Sequence, residues 1–203
     1  MDDILFAAVD LPLLDRAAAA RAILDIDDSY SWWDTYRSTK MYPLMVKQGK
    51  IVDNRQTGEF FWHECAPTII REWFDSVVFP WLGCRSRIIA LVTQPNFSNS
   101  EHIDCEPNEV GSLQHKFRIV LQGETDTLYF NTDNGSIPAP KTGGAFIMDG
   151  GWPHGMTNNS DQVKVTIALG SPWTGREHYD NINILQRRSD YRMPQDLSPY
   201  FRK

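Results

Sequence analysis

No run of the sequence approaches the ~20 consecutive apolar residues that a membrane-spanning helix needs. The first ten residues, MDDILFAAVD, begin acidic and lack the basic flank and cleavage pattern of a signal peptide. Cysteine is scarce: Cys65, Cys84 and Cys105 form no CxxC pair and leave an odd number, which speaks against a disulfide framework and for a reduced, cytoplasmic setting. Positive charge is also short, with 20 Lys and Arg against 26 Asp and Glu and a net charge of -6. No basic field covers the molecule, so no nucleic-acid partner is expected. Basic residues gather only at Arg187, Arg188, Arg192, Arg202 and Lys203, which read as a solvated terminus. No repeat or low-complexity linker divides the 203 residues. They read as one domain, with a helical and hairpin part (1–84), a core (85–172) and a C-terminal extension (173–203).

What is present changes character along the chain. Ile4 to Val9 has the composition of a strand, and Asp10-Leu11-Pro12 resembles a helix start leading into the alanine-rich stretch up to Leu24. A hairpin is predicted between Ile51 and His63, around Asp53-Asn54 and Thr57-Gly58. Pro67 opens a second helix with Ile69, Ile70, Trp73, Phe74 and Val77 on one face, ending before Pro80. After Cys84 come short β-prone runs bounded by turn residues: Ile88 to Thr93, Ser100 to Asp104, His115 to Gln122, Thr127 to Asn131, Ala145 to Asp149 and Val163 to Leu169. The fold class is therefore mainly β within α+β: a cupin-like jelly roll, the double-stranded β-helix, with N-terminal helices packed on its outside.

Two of the runs place cations where they need company. Val163, Val165, Ile167 and Leu169 alternate with Lys164 and Thr166, and Phe117, Ile119 and Leu121 lie opposite Arg118 and Gln122. Cations on the inner faces of a jelly roll are costly unless something anionic sits between them.

The anion, and a metal, are suggested by Ser100-Glu101-His102-Ile103-Asp104. On a strand, residues i and i+2 share a face ~6–7 Å apart, near enough for His102 and Asp104 to grip one ion. His154, in Gly150-Gly151-Trp152-Pro153-His154-Gly155, supplies a third ligand. Two imidazoles and a carboxylate on one face of an octahedral ion make the facial triad of non-haem Fe(II) oxygenases, with positions left for a bidentate 2-oxo acid and then O2. An HxD triplet alone is a weak signal. The discriminating residue is Lys164, ten residues after His154, which would neutralise the distal carboxylate of 2-oxoglutarate.

The run Phe146-Ile-Met-Asp149-Gly-Gly-Trp-Pro-His154, with a basic residue ten beyond the His, resembles the aspartyl/asparaginyl β-hydroxylase-like branch of the Fe(II)/2-oxoglutarate oxygenases, and within it the bacterial free-proline cis-hydroxylases. The pattern covers residues 88–169, with Asp149 five before the distal His and Arg118 in the strand after the HxD element. It departs from the family in having Lys164 where Arg is usual, a single-point rather than a forked contact. It keeps Asp104, which argues against a halogenase.

The resemblance implies hydroxylation of an unactivated C–H bond of a small molecule, a free amino acid or a peptide side chain, with release of succinate and CO2. Fe(II), 2-oxoglutarate and O2 are the implied cofactors. His102, Asp104 and His154 hold the metal, while Lys164, Arg118, Tyr129 and Thr166 are the candidates for binding 2-oxoglutarate. Trp152 is a candidate pocket wall, Asp149 a turn residue, and His63 and His115 structural. Arg37, Tyr42 and the 51–63 hairpin are a candidate substrate lid. The rival functions are a jelly-roll metal-dependent isomerase or hydrolase, and a cupin-type module that binds without catalysis.

Overall fold

The computed structural model describes residues 3–12, 14–34, 38–47, 59–98, 101–105, 107, 115–124, 127–169 and 179–201. Nine strands form one antiparallel sheet. Its main path runs β13 (Ile182–Arg187), β1 (Ile4–Val9), β10 (Ala145–Asp149), β7 (His115–Gln122), β12 (Lys164–Leu169), β5 (Ile88–Thr93), β3 (Thr39–Lys47) and β2 (Trp32–Asp34), with β4 (Phe60–Trp62) pairing to β3. A smaller sheet has the order β6 (Phe97–Ser98), β11 (His154–Asn158), β8 (Leu128–Thr132) and β9 (Gly135–Pro138). The helices α1 (Arg16–Leu24), α2 (Thr68–Trp73) and α3 (Phe79–Leu82) cover the outer face of the large sheet. No helix among the described residues is long and apolar enough to cross a membrane.

Period-two alternation sorts the large sheet into two environments. Phe117, Ile119 and Leu121 of β7 and Val165, Ile167 and Leu169 of β12 join Ile23, Ile70 and Phe74 of the helical layer in one core. The opposite face meets the small sheet through a second cluster, in which Phe6, Val120, Phe146 and Met148 pack on Leu128, Phe130 and Trp152. Lys116, Arg118, Lys164 and Thr166 lie on that inner face, interleaved with the residues buried against the helices.

Several local expectations need correction. The first helix starts at Arg16 rather than at Pro12, because the Asp15 carboxylate caps the free amide of Ala18 at 2.9 Å. The second helix does not stop before Pro80. A π-turn over Phe74–Val78 widens the coil and accommodates a residue with no N–H, and α3 ends at Gly83 with φ 75°. Residues 51–58 of the predicted hairpin lie outside the described residues, but Phe60–Trp62 pairs with Met45 to Lys47. The basic C-terminal segment is structured, although Arg187 and Arg192 are exposed as expected. β13 closes the edge of the large sheet against β1, Arg187 pairs with Asp3, and Arg188 with Asp149. Arg202 and Lys203 lie outside the described residues.

Candidate metal centre

The expected regular strand over 100–104 is absent, although Ser100 lies outside the described residues. His102 forms a single antiparallel bridge, and its partner is His154, the first residue of β11. Their main chains exchange two hydrogen bonds of 2.9 and 3.0 Å, which sets the imidazoles side by side with ring centroids 4.5 Å apart. The chain then leaves the sheet, and each amide finds a different acceptor. Ile103 donates to the Tyr200 carbonyl at 3.0 Å and Asp104 to the Gly150 carbonyl at 2.8 Å. Gly150 permits that approach: a Cβ there would fall 3.2 Å from the Asp104 Cβ and 2.8 Å from the Lys116 Cε.

The three side chains converge as the sequence suggested. The Asp104 carboxylate lies 3.6 Å from His102 Nε2 and 3.7 Å from His154 Nε2, and one donor atom from each residue falls within 4.8 Å of the others. An octahedral ion with bonds of ~2.1 Å holds neighbouring donors ~3 Å apart, so a small inward adjustment completes the site. His154 Nδ1 lies 2.8 Å from the Trp152 carbonyl. Donating its proton there leaves Nε2 as the free lone pair that a metal requires. Burial, then the neighbouring His102, push the His154 imidazole down to about 3, so it is neutral at physiological pH. Burial alone would raise the Asp104 carboxyl, but Lys116, the two imidazoles and Arg118 outweigh it and hold the group ionised, well below the usual carboxylate range. A neutral imidazole and a carboxylate are the protonation states a metal selects.

A cavity opens from the two histidines between the sheets, enclosing about 630 Å³ of non-protein space with its mouth included. Arg118, Lys164 and Thr166 line it, together with Thr39 and Thr93, whose hydroxyls are 3.1 Å apart. No acidic side chain lines it among the described residues. Lys164 is 2% exposed, and its ammonium donates to the Glu124 carbonyl at 2.6 Å and to the Thr127 hydroxyl. The Thr166 hydroxyl is buried in the cavity wall without a hydrogen-bond partner. Arg118 reaches Asp104 at 3.7 Å.

Tyr129 does not join this group. His154 and Met156 pair with Phe130 and Leu128, so the even residues of β8 face the cavity. Tyr129 stands on the opposite face, its ring lying across Gly155, where a Cβ would overlap it. Burial raises the phenol pKa, as do the nearby Glu101 charge and hydrogen bond. Tyr42 is likewise turned away from the cleft: it is buried against the helical layer and donates to Asp28 at 2.8 Å. Arg37 and residues 51–58 of the expected lid lie outside the described residues. Trp152 is core, its indole donating to the Asn131 carbonyl at 2.7 Å. Asp149 does hold the turn, accepting from the Gly151 amide at 2.9 Å, and it also meets Arg188 at 3.3 Å. His63 contacts Cys65, and His115 contacts Tyr179, both away from the cavity.

Sequence reasoning missed two cations whose charges act on Asp104. Lys116 is two residues before Arg118 on the same strand and face, so the alternation that located Arg118 also locates Lys116. Arg87 precedes β5 and left no periodic signal.

No protein-family model matches the sequence, and no curated protein matches it. Solved structures do. A Pseudomonas putida prolyl-4-hydroxylase is similar over 86% of this chain and 94% of its own, with 10% identity and a TM-score of 0.51. SnoK, a non-heme alpha-ketoglutarate-dependent carbocyclase from nogalamycin biosynthesis, is similar over 82% of this chain and 78% of its own, with 11% identity and a TM-score of 0.50. At these identities the likeness defines the fold. The chain is a double-stranded β-helix like these structures, and it carries a His-Asp-His group whose two histidines line its cavity.

Proposed function

We propose that this protein is an Fe(II)- and 2-oxoglutarate-dependent dioxygenase of the aspartyl/asparaginyl β-hydroxylase-like branch. Its substrate would be a small molecule, a free amino acid or a peptide side chain rather than a nucleic acid. The observation that carries the reading is the meeting, in one cavity, of a facial donor set and a buried lysine on the facing sheet. A metal-dependent isomerase or hydrolase has no use for that lysine. With iron and 2-oxoglutarate bound, the chemistry supplied is oxidative decarboxylation to succinate and CO2 coupled to hydroxylation of a C–H bond.

The residues divide the work. His102, Asp104 and His154 hold the metal on one side and leave the cavity side open. Lys164 offers its charge to the distal carboxylate of 2-oxoglutarate, and the unpartnered Thr166 hydroxyl, two residues along the same face, donates to the same group. Arg118, in contact with Asp104, steadies that ligand and faces the incoming carboxylates. Leu91, Val120, Leu128, Phe146 and Met156 wall the cavity and exclude water.

The test is succinate formation from 2-oxoglutarate with added Fe(II), run against a panel of amino acids and peptides. Succinate, coupled or uncoupled, is expected. Folded, iron-loaded protein that makes none would overturn the reading. His102→Ala should abolish iron binding with the fold intact, and retained stoichiometric iron would mean that other ligands hold the metal.

A further inference from the structure

Asp149, the last residue of β10, carries the one wholly buried carboxylate among the described residues. Its side chain accepts from the Gly151 amide at 2.9 Å, and its carbonyl accepts from the Trp152 amide at 3.3 Å. The turn closed in this way presents two carbonyls to the metal site. That of Gly150 accepts from the Asp104 amide at 2.8 Å, and that of Trp152 faces His154 Nδ1 at 2.8 Å. Two of the three metal ligands, on separate segments of chain, are therefore aimed by one turn.

A carboxylate taken wholly out of water needs a cation or directed donors beside it. The cation comes from the C-terminal segment. β13 lies two places from β10 in the large sheet, with β1 between them. Arg188, the first residue after β13, is anchored by its amide on the Asp3 carbonyl at 2.9 Å, and its guanidinium reaches the end of β10. Its Nε comes within 3.3 Å of the Asp149 carboxylate, and the guanidinium carbon lies 5.9 Å from the centre of the Trp152 indole. One planar cation thus holds both ends of the turn, Asp149 by charge and Trp152 by its ring. We infer that Arg188 is a positioning residue of the metal centre: through Asp149 it holds the turn over 149–152, and through that turn it orients His154 and Asp104 for the ion. This role rests on the metal-binding part of the oxygenase reading. Outer partners that orient metal ligands typically set ~10–100-fold in metal affinity. Charge alone works the other way, because taking a cation from the neighbourhood of a divalent ion favours the ion. Weaker metal binding on loss of Arg188 is therefore a signature of orientation.

Calorimetry with Mn(II) in place of Fe(II), at a temperature where circular dichroism shows each variant folded, tests this without turnover. Arg188→Met is expected to bind Mn(II) at least about tenfold more weakly than the wild-type protein. Arg188→Lys returns the charge as a single point without the planar stack, so its affinity should lie between the two. Arg187→Met, one residue earlier in an exposed pair with Asp3 at 3.6 Å, should bind Mn(II) as the wild type does. Wild-type or tighter affinity in either Arg188 variant would overturn the role. So would an Arg188→Lys no better than a folded Arg188→Met, which would place the effect in the indole contact, or an equal loss in Arg187→Met. If Arg188→Met does not fold, Arg188→Lys decides alone by the same criterion, with weaker binding expected. Wild-type protein that binds no Mn(II) overturns the metal-binding reading itself, so the two failures are distinguishable.

Discussion

Two buried lysines stand on the inner face of the same sheet, and the protein treats them differently. Lys164, at one end of the cavity, has its ammonium placed by the Glu124 carbonyl and the Thr127 hydroxyl. Lys116, on β7 and outside the cavity lining, has the Asp104 charge for company. Each side chain runs past a glycine: Gly123, with φ 97°, lies where a Cβ would be 3.1 Å from Lys164 Cγ, and Gly150 lies against Lys116. Burial alone therefore does not say what a lysine is for. A cation whose donors are already directed into the cavity wall is an oriented anchor, whereas one beside a carboxylate balances that group's charge.

Substitutions can break that comparison. The largest effect is expected from Lys164→Ala, which should raise the 2-oxoglutarate requirement about a hundredfold, while Lys116→Met leaves it nearly unchanged. Succinate assays across a co-substrate titration decide it, and an unchanged requirement in Lys164→Ala would move the anchor to Arg118. Next comes Gly150→Ala. Its Cβ displaces both Lys116 and Asp104, so Mn(II) affinity should fall about tenfold with ~1–3 kcal/mol of stability lost. Gly123→Ala should cost a similar ~1–3 kcal/mol through backbone strain and crowding of Lys164, with metal affinity preserved. Calorimetry beside urea denaturation separates the two glycines.

Smaller effects sharpen the picture around the metal. Arg188→Met strips a cation from Asp149, which is wholly buried, and should cost ~1–3 kcal/mol in urea denaturation. The least effect belongs to His154. Its folded pKa of about 3 lies below the ordinary 6.5, so between these values the unfolded chain binds the extra proton and the folded one does not. Metal-free protein should therefore lose stability as pH falls from 6.5 towards 3, by at most ~1.4 kcal/mol per pH unit from this group. A His154→Gln variant should show a shallower slope, and an equal slope would assign the acid sensitivity elsewhere.

Much of this was legible in the sequence where a single physical rule operates. The bounds of β1, β5, β7 and β10 follow from β-prone composition and flanking turn residues, and alternation alone puts Lys164 and Thr166 on the inner face. β3 was hidden because Pro43 interrupts it, at a register shift where the missing donor is tolerated. β13 was hidden because its composition is that of a polar tail, although pairing to β1 makes it structural. The triad was legible for a partly wrong reason. His102 and Asp104 converge not as neighbours on one regular strand but through a bridge to His154 and a bend against Gly150. Tyr129 was misplaced because strand register decides which parity faces inward, and only the partner strand carries that information.

The amide of Ile103, between two of the metal ligands, is satisfied by the carbonyl of Tyr200. On the ribosome, His102, Asp104 and His154 are all made before Tyr200. A nascent chain thus displays all three ligands before it can brace the segment that bears two of them. The segment between His102 and Asp104 is therefore tied down only once Tyr200 has been made and has folded back against it.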